Sequence, residues 1–169
     1  MKLTRNFWRE EFSRSQVAAR RNIDNTIPFS LTSNLHRLAT TLQTLRNRLC
    51  EHYGREVFIT VTSGYRSKKL NKMIGGHPSS FHMSCLAADI TASGLTPYEL
   101  AMFIRDQMKD VDLDQVILEH DRWVHLGIAE SGRKHRRQFL EAKWQHDIFG
   151  KNRVRYMHLI RRERQPLKV

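Results

Sequence analysis

Six leucines, Leu31, Leu35, Leu38, Leu42, Leu45 and Leu49, recur at three- and four-residue spacing and draw one apolar stripe. That spacing predicts a helix from about Ser30 to Tyr53, with Gly54 placed to end it. The stripe is too short for a coiled coil, so the rest of the chain must cover it. The downstream segments are suited to doing so. Val57–Thr62, Leu86–Thr91, Leu113–Leu118 and Trp123–Ile128 are short β-branched or apolar runs of strand length. A helix face laid on several short strands implies an α+β fold, a small antiparallel sheet with flanking helices.

The remaining elements are set by local chemistry. A short helix is expected around Trp8 to Ser13, and Asp24-Asn25-Thr26-Ile27-Pro28 reads as a turn. Ser67 to Ile74 suits a short helix closed by Gly75-Gly76. Thr96-Pro97-Tyr98-Glu99 is a capping box with proline at the first helical position, opening a helix that runs to about Lys109. A tight turn at His120-Asp121-Arg122 makes a hairpin of the last two apolar runs. Beyond it, Lys134 to Trp144 is expected to be helical, with a further element near Val154 to Ile160.

At 169 residues the chain can bury one real core and is short for two. No apolar run approaches the ~20 residues of a membrane span. Nor does the N-terminus show the apolar segment of a signal peptide, so synthesis in a cytoplasm is expected. Cys50 and Cys85 then read as free thiols. The net charge of +12 implies attraction to a polyanion, whether wall polymer, membrane surface or nucleic acid. It is lopsided: from Ser131 onward, twelve Lys and Arg stand against three acids, which is nine of the twelve charges. We therefore divide the chain into residues 1–132 and a basic C-terminal extension, 133–169, with packing of the extension on the same domain left open; its role is either that of a solvated tail or of an electrostatic attachment.

Ser80-Phe81-His82-Met83-Ser84-Cys85-Leu86-Ala87-Ala88-Asp89 sets an imidazole and a carboxylate seven residues apart, and His125 lies in a later strand. Two His and one Asp are the three protein ligands of a catalytic zinc that keeps a position for water. A base is then needed to move the water's proton, and Glu119, across the hairpin from His125, is the nearest carboxylate. Alone, such a His–Asp pair is weak evidence in a chain with nine histidines.

The order of motifs adds to it. Ser63-Gly64-Tyr65-Arg66-Ser67, Leu70-Asn71 with Ile74-Gly75-Gly76, Ser80-x-His82 with Ala87-x-Asp89, and Glu119 with Trp123-Val124-His125 come one after another. Upstream stand Leu3-Thr4-x-Asn6-Phe7, Glu11-Phe12 and Ile23-Asp24-Asn25. Over about residues 3 to 128 the chain resembles the zinc D-alanyl-D-alanine carboxypeptidase and L-alanyl-D-glutamate endopeptidase family, which shares its fold with the hedgehog signalling domain. The resemblance implies Zn²⁺ on His82, Asp89 and His125 and hydrolysis of peptide bonds in peptidoglycan stem peptides. It also implies a substrate carboxylate on Arg66 and a hydrogen bond from Ser80 near the metal or substrate. Short, unexported members are typical of bacteriophage or prophage genomes, so the implied place of action is a host cell wall, as for an endolysin.

Two departures bear on this. Cys85 stands where the family usually has glycine, which implies either a strained, buried and inert thiol or a fourth ligand closing the site. Some members carry an acid three residues before the last histidine, where this chain has Arg122, which leaves Glu119 or Asp121 as base. The reading from another class is a catalytically silent, zinc-stabilised module that binds wall polymer or nucleic acid through its basic tail. Which stem-peptide bond would be cut is not written in the sequence.

Overall fold

The computed structural model describes residues 1–146 and 152–162. Five helices and six strands are present among them: α1 (Arg9–Ser13), α2 (Gln16–Arg20), α3 (Thr32–Tyr53), β1 (Ile59–Ser63), α4 (Lys68–Met73), β2 (Ala87–Ala92), α5 (Pro97–Gln107), β3 (Leu113–Glu119), β4 (Trp123–Ile128), β5 (Gln138–His146) and β6 (Asn152–His158). Single 3-10 turns at Phe29–Leu31 and Phe81–Ser84 precede α3 and β2.

The leucine stripe behaves as its spacing requires. Leu35, Leu38, Leu42, Leu45 and Leu49 are fully buried in the main core, and Gly54 ends the helix in the left-handed conformation. Thr96 and Glu99 form the reciprocal capping box at the start of α5, which buries Leu100, Ala101 and Ile104 in the same core. Both helices lie on one face of the sheet, against Ile90, Val116, Leu118, Val124 and Leu126. Among the described residues no helix is long and apolar enough to cross a membrane.

The fold is α+β, with a sheet larger than expected and mixed: its order is β1-β2-β4-β3-β5-β6. All pairings are antiparallel except β3 with β5. The helix expected over Lys134 to Trp144 is instead β5. That stretch is rich in helix-forming side chains, but propensity is a weak prior against an open sheet edge. The free edge of β3 takes it up, Val116 facing Phe139 and Leu118 facing Glu141, and β6 pairs with it along its length.

The connection into β5 is anchored electrostatically. Asp114, buried, accepts from the backbone N–H of Arg136 at 2.9 Å and from its guanidinium through Nε and Nη2. Arg162 reaches back from beyond β6 to the buried Glu141 at 2.6 Å and to Asp121 at 2.8 Å.

Candidate active site

One row of cross-strand partners organises the open face of the sheet. Ser63 on β1 faces Asp89 on β2, Asp89 faces His125 on β4, and His125 faces Ile117 on β3. Because side chains alternate between the faces of a strand, these share one side, opposite the helices. Glu119 sits two residues on from Ile117, and so on the same face, paired with Trp123.

His82 reaches this row from the turn before β2, held by the backbone around it. Its Nδ1–H donates to the Gly64 carbonyl at 2.6 Å, which fixes the tautomer and turns the Nε2 lone pair toward the strands. Gly64 is required for that approach. A Cβ there would stand 2.5 Å from the Phe12 carbonyl oxygen and 2.6 Å from its Cα, backbone atoms that cannot rotate away. The same loop is stitched by Tyr65 N–H to the Phe12 carbonyl and by Asn25, whose amide donates to the Ser13 and Tyr65 carbonyls and accepts from Ser67 N–H.

His82 Nε2 lies 3.2 Å from His125 Nδ1 and 3.3 Å from Asp89 Oδ1, and His125 Nδ1 lies 2.9 Å from Asp89 Oδ1. Ligands about 2.0–2.1 Å from a tetrahedral zinc stand about 3.3 Å from one another, so the donor set fits such an ion with little movement. Among the described residues these three form the cluster able to hold a metal. Burial keeps the His82 imidazole on the neutral side of its usual range, as ligation requires. Burial alone would push the Asp89 carboxyl up. Its hydrogen bonds and charge contacts with His125 and His82 outweigh that and hold it well below the carboxylate range.

Arg66 joins the cluster from outside. Its Nη2 donates to the second Asp89 oxygen at 2.6 Å and its Nε to Ser63 Oγ at 3.0 Å. Two donors of the fork are used on the protein itself, and the guanidinium still lines the cleft. Ser80 stands just before the turn carrying His82, makes no capping bond with its side chain, and lines the cleft. Glu119 lines it as well, its carboxyl pushed up by burial and by the Asp89 charge and pulled down by His125 and Arg66. Asp121, the rival base, lies instead in the hairpin turn, paired with Arg162.

Cys85 occupies a left-handed conformation, φ 53°, at the end of the turn carrying His82. Its thiol is buried in the main core and, through that burial, pushed up to about 12. It lies outside the metal cluster. His77 and Trp123 line the cleft, whereas His120 stacks on Trp144 with centroids 4.7 Å apart and rings 7° from parallel. Trp144 is 60% exposed.

The cleft over this row encloses about 900 Å³, and its far wall comes from residues that sequence reasoning did not single out: Leu140, Tyr156, Lys134 and the Arg136–Asp114 pair. A family model described as Peptidase M15 matches residues 5–127. The chain belongs to the peptidase M15 family. Membership makes it a metallopeptidase by descent, in a family of zinc enzymes, and the His82–Asp89–His125 cluster is compatible with that chemistry. The match spans every residue of the cluster as well as Arg66, Ser80 and Glu119, and ends before β5. No curated protein matches the chain.

Proposed function

We propose that this protein is a zinc peptidase that hydrolyses peptide bonds in the stem peptides of bacterial peptidoglycan, acting on the cell wall in the manner of an endolysin. The observation that carries the reading is the row Asp89–His125–Ile117 with Glu119 two residues along the same face. With His82 added from the turn before β2, three donors able to hold a metal and one carboxylate of raised pKa face a single open cleft, which supports the reading.

His82, Asp89 and His125 hold the ion in this reading. Zinc, when bound, polarises a carbonyl and makes water acidic enough to attack near neutral pH. Glu119 takes the proton of the attacking water and passes it to the leaving amine, a role favoured by a carboxyl lifted toward neutrality. Arg66 steadies Asp89 and offers its remaining N–H groups to a substrate carboxylate, which its planar fork suits better than a lysine would. Ser80, on the same wall, hydrogen-bonds substrate near the cluster. The basic residues from 133 onward hold the enzyme to anionic wall polymer or membrane surface, an attraction that weakens as salt rises.

Loss of turbidity of purified peptidoglycan, followed with and without chelator, tests the reading. Wild type clears the suspension and chelator stops it; Glu119→Ala lowers the rate by about 10²- to 10⁴-fold while zinc stays bound. Clearing that ignores chelator, or a fully active Glu119→Ala, overturns the mechanism.

A further inference from the structure

The family match ends at residue 127, yet part of the cleft lies beyond it. On β5 and β6 the cleft face carries Leu140, Ala142 and Trp144 opposite His158, Tyr156 and Val154. The row that begins at Glu119 therefore runs Glu119–Ala142–Tyr156. Its middle member decides what the outer two can do. Ala142 is fully buried although it faces the cleft, and its methyl group is too small to keep its neighbours apart. Cβ atoms of directly paired residues stand about 5 Å apart, so Glu119 and Tyr156 are two steps apart and an aromatic side chain spans that gap.

Tyr156 is 54% exposed, so its ring is not held there by a core. Burial raises its phenol above the ordinary tyrosine range, and the charge of Glu119 adds to this, which places the two within electrostatic reach. The hydroxyl thus stays protonated across the neutral range and is a neutral donor.

We propose that Tyr156, brought in by the C-terminal hairpin, is a substrate-binding residue of the peptidase site, its hydroxyl donating a hydrogen bond to the peptide backbone beside the bond on which Glu119 acts. The proposal rests on the peptidase reading and adds a contact from outside the matched region. An extended peptide lying over the row from Asp89 to Ile117 meets β5 and β6 next, and its carbonyl groups are acceptors for such a donor.

The test compares the full-length zinc-loaded wild type with Tyr156→Phe, which removes the hydroxyl alone, using a synthetic stem pentapeptide. Hydrolysis gives kcat and KM, and tryptophan fluorescence gives the affinity for the peptide. Tyr156→Phe is expected to lower kcat/KM by about tenfold, the worth of one hydrogen bond to substrate, with zinc content and melting temperature unchanged. Equal kcat/KM and equal affinity overturn the proposal. A wild type that hydrolyses no stem peptide instead defeats the peptidase reading. Peptide affinity then decides on Tyr156: several-fold weaker binding by Tyr156→Phe upholds the contact, and equal or absent binding overturns it. A phenol titration at 295 nm checks the juxtaposition without substrate. Removing the negative charge with Glu119→Gln should lower the pH at which Tyr156 ionises, and an unmoved midpoint overturns it.

Discussion

Asp89 on β2 and Asp114 on β3 belong to the same sheet, yet they are answered in different ways: Asp89 mainly by imidazoles from β4 and from the turn before β2, Asp114 by an arginine that arrives with the connection into β5. Both are buried carboxylates held below their usual range. On one oxygen Asp89 meets two imidazoles, groups that can turn their lone pairs to a cation without leaving the site, while Arg66 takes the other oxygen. Asp114 is held by three donors of one arginine, none of which has a lone pair to offer a cation. The first arrangement is poised for a metal, the second is a clamp. A buried charge therefore marks a functional site only when its partners can change what they bind.

The widest test of that difference is Asp89→Ala. It should abolish stoichiometric zinc binding, read by metal analysis after dialysis, and activity with it; a variant retaining one zinc per chain would remove Asp89 from the site. Gly64→Ala comes next. The added methyl meets Phe12 backbone, so the loop must shift, costing about 1–3 kcal/mol in denaturant unfolding and loosening the His82 anchor. A neutral result would mean that the close approach is not needed.

Arg136→Ala probes the clamp. It leaves the Asp114 carboxylate buried without its partner, at about 1–3 kcal/mol. The sign with pH is opposite in the two proteins. In wild type the depressed Asp114 contributes stability that is present above about pH 4 and is lost as pH falls through its lower folded value. In the variant the unpaired carboxyl is raised by burial and costs most near neutrality. The stability gap between the two should therefore narrow on acidification below about pH 4. A gap that widens in acid would mean that Asp114 is not the group at stake.

The smallest effect is expected at Cys85. A non-glycine residue in the left-handed region costs about 1 kcal/mol or more, and glycine would relieve it. The buried thiol contributes packing of similar size, so Cys85→Gly should shift stability by less than about 1 kcal/mol. Zinc content should not change. Loss of zinc in that variant would make the thiol a ligand and the site closed.

Much of the core was legible because it is written in local periodicity. The leucine stripe and the capping box at Thr96 each occupy a single element, and their residues meet the same partners in any fold that buries them. The hairpin from β3 to β4 was likewise visible, since two strand-like runs and a three-residue turn need no distant information. The C-terminal hairpin was misread for the converse reason. Residues 134–144 carry helix-forming side chains, and only the open edge of β3, supplied by residues some twenty positions earlier, makes them a strand. On that edge hairpin Trp144 is exposed and stacked on His120.

The sequence by itself determined the α+β class, the core helix, the three metal-ligand candidates and the two carboxylates from which a base could come. Donor types and ordered spacing are properties of the chain, and the chemistry of imidazole and carboxylate does not depend on the fold. The tertiary structure decided which donors converge. It set Asp89 beside His125 by register and turned His82 with the Gly64 carbonyl. It left Glu119 in the cleft while tying Asp121 to Arg162, and it carried Tyr156 to the far wall. Those are distances between residues tens of positions apart, fixed by strand pairing and burial, and no local pattern in the sequence encodes them.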